Sequence, residues 1–303
     1  MEITASMVKE LRETTGAGMM DCKKALAEAD GDMTAAVDIL RTKGLADLAK
    51  KAGRATNEGV IGSFVTTDAA TGVLVEVNCE TDFVARNADF KEFVTTVAGE
   101  VAVGSPADVS ALLAMPFSAR PDITVEQLLG ETVSRLGENM GIARFVRYER
   151  GSAANMVAAY IHGVGNIGVL VEVACGSEAV AASAAVATFA RDIAMQVAAA
   201  APVAVRRDEV PADVVAHEMS IYKAQAAETG KPEPIQEKIA QGRLEKYYKE
   251  FCLLEQPFVK DPDISVTQYA ERTGQQAGGS VDVVRFARLV LGETNPEPRT
   301  PSC

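Results

Sequence analysis

The spacing of apolar residues changes along this chain, and each change marks a new kind of element. Met7, Val8 and Leu11 fall at helical spacing behind Thr4 and Ser6, two residue types that cap helices well. Gly16-Ala17-Gly18 interrupts that pattern. Cys22, Ala25, Leu26 and Ala29 form a second stripe, and Asp30-Gly31-Asp32 supplies a turn with a cap. Ala36, Val37 and Leu40 form a third stripe. Gly44 is expected to end that helix, with a charged Ala/Lys segment running to Gly53 as a linker. Residues 1–54 therefore predict a three-helix domain.

Beyond Gly59 the helical period gives way to unbroken apolar runs. Val73-Leu74-Val75-Glu76-Val77 predicts a strand, followed by a turn at Thr81-Asp82-Phe83-Val84 and a helix beginning near Asn87. The same unit returns 96 residues later. Residues 59–65 align with 155–161, and 72–102 align with 168–198 without a gap. Fourteen of those thirty-one pairs are identical, including Cys79/Cys175 and Phe93/Phe189, so the two copies share one architecture. Each reads strand, hairpin loop, strand, helix, with Val-rich strands that imply helix-covered sheets. A weaker echo relates 122–148 to 263–289 at an offset of 141, nine of twenty-seven pairs being identical. Each of these segments reads as a short helix, a Gly-containing turn and a strand.

Residues 211–251 differ in kind. Val214, Ile221 and Gln225 share a helical face, with Val215, Met219 and Tyr222 beside them. The run from Glu228 to Pro234 cannot stay helical, and Ile235, Ile239, Tyr247 and Phe251 follow it. This predicts an antiparallel helical hairpin that either meets a partner, self-associates or docks on its own domain. The expected class is α+β. The expected division is a three-helix domain at 1–54, a core subdomain at 55–150, and a second at 151–262 with the hairpin inserted at about 205–251. A C-terminal module with a disordered, proline-rich tail is expected at 263–303.

Composition narrows the function. A net charge of -12 argues against a general nucleic-acid binder, whose phosphate contacts need clustered Lys and Arg. Residues 1–57 hold nine acids and nine bases, with a basic stretch at Arg41, Lys43, Lys50, Lys51 and Arg54. Five scattered cysteines without a Cys-x-x-Cys pair, and only two histidines, argue against a zinc site or a disulfide framework and fit a reducing cytoplasm. The start, Met1-Glu2-Ile3-Thr4, reads as no signal peptide, and no apolar run is free enough of charge to span a bilayer.

Gly163-Val164-Gly165-Asn166-Ile167-Gly168 matches the dinucleotide fingerprint. That motif works only between a strand and a helix, and here a strand, Val169 to Val173, follows. It reads instead as a hairpin loop, which weakens the case for a nicotinamide oxidoreductase, a rival that a cofactor-binding titration would show or exclude. His162 sits at that loop with no nucleophile, base or metal in register. No catalytic residue, cofactor or metal is therefore expected.

Asp82-Phe83 is sharper. Thr81 and Asp82 are cap and turn types, and the second copy keeps that chemistry as Ser177-Glu178. Phe83 aligns with Ala179, so the unit itself does not need an aromatic there. Phe83 either fills a local gap or stands exposed beside an acid, as interface residues do. Met19 and Met20, after the Gly16-Ala17-Gly18 turn, are either core or adaptable contacts.

Two runs carry a resemblance. Thr15 through Leu26, including Gly16-Ala17-Gly18-Met19-Met20-Asp21-Cys22, and Glu76 through Ala85, including Thr81-Asp82-Phe83-Val84, resemble the two signature segments of the bacterial elongation factor Ts family. His162 with Ile167 to Val171 resembles a third. The resemblance covers nearly the whole chain, departing at 104–121 and in the short C-terminal tail. It implies a ubiquitin-associated-like N-terminal domain, a duplicated α+β core, a coiled-coil insertion and a C-terminal module. It also implies guanine-nucleotide exchange on the GTPase elongation factor Tu, in the cytoplasm. Thr81, Asp82, Phe83 and Val84 would enter that GTPase near its magnesium site. Arg12, Met19, Met20 and Lys51 would contact it from the N-terminal domain, and His162 from the second subdomain. An adaptor built on residues 1–54 alone would leave the repeat and Phe83 without a role.

Overall fold

The computed structural model describes residues 3–293; the tail expected to be disordered lies outside the described residues. Helices α1 (Ala5–Thr15), α2 (Met19–Glu28) and α3 (Met33–Lys51) pack around Leu11, Cys22, Leu26, Ala36 and Leu40. Thr4 caps α1 by accepting the Met7 N–H, and Asp32 caps α3 by accepting from Thr34 and Ala35. Gly44 does not end α3. It lies inside the helix, buried where α3 crosses a later helix, and the charged segment after it stays helical to Lys51.

The first half of the core starts with β1 (Glu58–Val65) and β2 (Thr71–Cys79), then α4 (Asp82–Arg86) and α5 (Ala88–Gly104). It continues through α6 (Val109–Ala114), a small hairpin of β3 (Pro116–Phe117) and β4 (Arg120–Thr124), then α7 (Val125–Leu136) and β5 (Met140–Glu149). β2 lies between β1 and β5, antiparallel to both. The second half repeats the plan with β6 (Asn155–His162), β7 (Ile167–Cys175), α8 (Glu178–Ala181) and α9 (Ala184–Ala200). In place of α6 it carries α10 (Ala212–Ala227) and α11 (Glu233–Phe251), followed by β8 (Pro257–Phe258), β9 (Asp261–Ser265), α12 (Val266–Ala277) and β10 (Val281–Val290).

β10 corrects the division expected at residue 263. It pairs antiparallel with β7 from Val281↔Cys175 to Val290↔Ile167, giving the sheet order β10-β7-β6. Residues 263–290 thus complete the second half and form no separate module. Without β10, the inner edge of β7 would be left without hydrogen-bond partners. The offset of 141 extends back to Pro116-Phe117 and Pro257-Phe258, so the echo covers whole matching segments. Thr124 with Gln127, and Ser265 with Gln268, form the same capping box at the head of α7 and α12. Gly137 and Gly278 end those helices at φ 81° and 77°, a backbone state that glycine adopts without strain.

Each sheet has a helix on its outer face. Phe90, Phe93 and Val97 of α5 cover the first sheet, and Phe189, Ile193 and Val197 of α9 the second. The inner faces meet, with Ile61, Leu74, Val157, Leu170 and Leu289 between them. Helix cover therefore holds on one face only; the other sheet covers the second. Gly72 and Gly168 allow that approach. A Cβ on Gly72 would lie 2.5 Å from Val157, and one on Gly168 would lie 2.5 Å from Ile61.

Two buried carboxylates tie the halves reciprocally. Arg144 donates from Nε to Glu76 at 2.7 Å and from Nη2 to the Val290 carbonyl. Arg285 donates from Nε to Glu172 at 2.7 Å and from Nη2 to the Glu149 carbonyl. Glu76 also accepts the Gly292 N–H, and Glu172 the Gly151 N–H. Each half thus reaches the end of the other half's last strand.

α10 and α11 pack antiparallel on each other. Tyr247, Cys252, Val210 and Ala204 fill the base of this hairpin. Arg207 fastens it through Glu245 and Glu255. Nearer the tip the contact narrows to buried Ala226 and Ala240, while Ile235 is exposed. Among the described residues no helix is long and apolar enough to cross a membrane.

Candidate functional site

β2 delivers the chain into a corner whose two sides behave oppositely. The turn expected at 81–84 is itself one helical turn, α4, capped by the Thr81 hydroxyl, which accepts the Val84 N–H. Successive helical residues point about 100° apart. Val84 and Ala85 therefore enter the first core while Phe83 leaves it, 83% exposed. Asp82 pairs with Arg86 at 3.0 Å on the open side.

Two carboxylates from different segments hold this corner. The Thr81 N–H donates to Glu138 Oε2 at 3.0 Å, and the Thr81 hydroxyl donates to Glu138 Oε1 at 2.6 Å. In return, the Asn139 N–H donates to Glu80 Oε1 at 2.5 Å, and Arg54 pairs with Glu80 at 3.2 Å. The Asn139 N–H, with Arg54, holds the Glu80 carboxyl below the usual range. Behind the corner, Cys79 donates to the Thr81 carbonyl. Burial, with the Glu138 charge nearby, pushes its thiol up to about 12.

Neither glutamate is visible as a local motif, since Glu138 lies 57 residues from Thr81. The repeat does carry the signal. Glu80 aligns with Gly176 at the offset of 96, and Glu138 with Gly279 at 141. The second corner is closed by a backbone bond from Gly176 N–H to the Ser280 carbonyl. Val180 occupies the interior position of Val84, and Ala179 is exposed where Phe83 stands.

Met19 and Met20 begin α2, 59% and 64% exposed, so neither is core. Arg12 is exposed one turn before the Gly16 cap. The loop between α1 and α2 sits on the core: a Cβ on Gly16 would lie 3.1 Å from Arg135, whose guanidinium reaches Asp89 at 3.6 Å. Asp89 opens α5, directly after α4. The methionine turn and the Phe83 corner are thus linked through Arg135. Lys51 is half-buried and donates to the Val133 carbonyl at 3.4 Å, so it helps dock α3 on α7. Its basic neighbours are also engaged, Arg41 with Asp122 and Lys43 with Asp21.

His162 is exposed on the β6–β7 hairpin, its Nδ1 3.0 Å from the Tyr160 hydroxyl. Gly163 to Gly168 connects two strands, as expected of a hairpin loop. That hairpin leans on the first sheet, the Ile61 N–H donating to the Gly165 carbonyl. Among the described residues no cluster of three or more His, Cys, Asp or Glu is placed to hold a metal.

The family profile described as Elongation factor TS matches residues 80–293, from the Phe83 corner to the last described residue. The elongation factor Ts of Trichlorobacter lovleyi is 51% identical over 293 residues, 97% of this chain and 94% of that protein. The elongation factor Ts of Syntrophotalea carbinolica is 50% identical and that of Clostridium botulinum 47%, over comparable spans. The chain belongs to the elongation factor Ts family. Its membership covers both halves of the core, and the relatives extend it through the first three helices. Within the elongation factor Ts frame, the exposed Phe83 belongs to the first half alone.

Proposed function

We propose that this chain is a guanine-nucleotide exchange factor that binds elongation factor Tu carrying GDP and promotes release of GDP and magnesium, so that GTP can bind. The observation that carries the reading is Phe83, exposed on a corner fixed from inside by Val84 and from the side by Glu138. An exposed aromatic on a backbone already fixed gives up only side-chain freedom when it inserts into a partner. The partner is the one implied by membership of the elongation factor Ts family.

A GTPase holds its nucleotide through phosphate-cradling backbone and a magnesium ion. Phe83, with Asp82, acts as a wedge that shifts those elements and weakens nucleotide and metal together. Thr81 and Val84 set the wedge's angle. Arg12, Met19, Met20 and Lys51, on a ubiquitin-associated-like domain, extend the contact. His162 contacts another domain of the GTPase from the second half. Linkage requires GDP to weaken the complex by the same factor as the complex weakens GDP, so either nucleotide displaces the factor. No covalent bond changes, and the chain itself holds no nucleotide. The proposed compartment is the cytoplasm, where elongation takes place.

Release of labelled GDP from elongation factor Tu, with and without this chain, tests the reading. Acceleration at substoichiometric amounts supports it; an unchanged release rate overturns it.

A further inference from the structure

We infer that Glu138 is a positioning residue for the wedge, fixing the direction in which Phe83 leaves the corner. This rests on the exchange reading above and adds to it a residue that touches no nucleotide.

α4 is only five residues long, Asp82–Arg86, so it has little intrinsic stability. Its direction is set by what holds its first turn. Thr81 is that hinge, and Glu138 accepts both of its donors, N–H at 3.0 Å and hydroxyl at 2.6 Å. Two bonds to one planar carboxylate define an orientation as well as a distance, and an ionised acceptor makes both of them strong. Glu138 is half-buried in the loop between α7 and β5, so its own backbone is tied to the first core.

The second corner is closed in another way, by a backbone bond from the Gly176 N–H to the Ser280 carbonyl. Ser177 caps α8 there and Val180 fills the interior, yet Gly279 stands in place of Glu138. A Cβ on Gly279 would lie 2.7 Å from Val180, so that corner leaves no room for a side chain. The carboxylate clamp and the exposed aromatic occur together in one copy and are missing together from the other.

The test is a double-mutant cycle on the full-length protein. Glu138→Gln keeps the shape but loses the charge. Phe83→Ala removes the wedge. The readouts are kcat and KM for stimulated GDP release, thermal midpoint, and hydrogen exchange at the Thr81 amide. Glu138→Gln alone should lower kcat by about tenfold and speed exchange at the Thr81 amide by a similar factor, with the thermal midpoint nearly unchanged. In the Phe83→Ala background it should change kcat no further. Thr81→Val, which loses the hydroxyl donor to Glu138 together with the cap on Val84, should lower kcat at least as much as Glu138→Gln. Equal fold-losses in both backgrounds would overturn the proposal, because Glu138 would then act independently of Phe83. So would full activity in Glu138→Gln with the Thr81 amide freed, or a collapse in thermal midpoint that accounts for the lost activity. The exchange reading fails separately, if the unaltered chain leaves GDP release unchanged.

Discussion

Gly44 and Gly130 meet backbone to backbone where α3 crosses α7. A Cβ built on Gly44 would lie 3.0 Å from the Gly130 carbonyl carbon, and one on Gly130 would lie 2.9 Å from that of Gly44. Neither backbone can yield without its whole helix moving. Gly44→Val should therefore push α3 off α7 and cost about 1–3 kcal/mol. Hydrogen exchange should show α7 amides losing protection while α1 and α2 stay folded. Retained protection on α7 would mean that the crossing adapts.

Phe83→Ala removes a side chain that the folded state barely uses. Stability should change by less than about 0.5 kcal/mol, measured by urea unfolding. Stimulated GDP release should fall by more than about tenfold, as when an interface anchor is lost. A loss of several kcal/mol in stability would instead make Phe83 part of the core.

Met19 and Met20 separate from Lys51 by the same logic. Met19→Ala and Met20→Ala, both on exposed positions, should leave the melting temperature in place and weaken binding to the GTPase by about 1 kcal/mol each. Lys51→Ala loses its bond to the Val133 carbonyl, so it should lower stability slightly as well as affinity. Calorimetric titration beside thermal unfolding distinguishes the two patterns.

Glu172 makes stability depend on pH. Burial alone pushes its carboxyl up, but bonds from Asn155, Gly151 and Arg285 outweigh burial and hold it below its ordinary value. The folded group therefore binds its proton less readily than the unfolded one. Its contribution is fully present above the unfolded range, about pH 4.3, and disappears as the pH falls through the lower folded value. Glu172→Gln should be less stable than the parent at pH 7 and should lose less between pH 5 and pH 3. Urea midpoints across that interval check the slope; parallel curves would remove Glu172 from the acid response.

The internal repeat made much of the fold legible, because fourteen shared residues fix two copies of one strand-turn-helix unit. Its weaker partner at offset 141 is visible too, but nothing local ties it to the second half, so 263–303 reads as a separate module. The helical hairpin stands between α9 and β8, and sequence adjacency gives no sign that β10 returns to β7. Gly44 reads as a stop because a glycine that ends a helix and a glycine that admits a neighbouring backbone look alike in one dimension. At the site, Phe83 emerged from comparison with Ala179. Glu138 did not, since its bond to Thr81 spans 57 residues and leaves no local pattern. Helical spacing does not say which face Met19 and Met20 take, and only their exposure separates contact from core.

The reciprocal arginine ties also bear on how the chain is made. Glu76 and Arg144 belong to the first half, yet the Val290 carbonyl and the Gly292 N–H that complete their hydrogen bonds are synthesised only at the end of β10 and just after it. At about 5–20 residues per second, the stretch from β5 to the end of β10 takes on the order of ten seconds to translate. Through that interval β6 and β7 can already cover the inner face of the first sheet, but the Glu76 carboxylate is only partly satisfied and β7 keeps one open edge. The second sheet and the tie through Glu76 are completed only when β10 arrives, so a nascent chain stalled within the helical hairpin should keep the β7 edge open to chaperones and proteases.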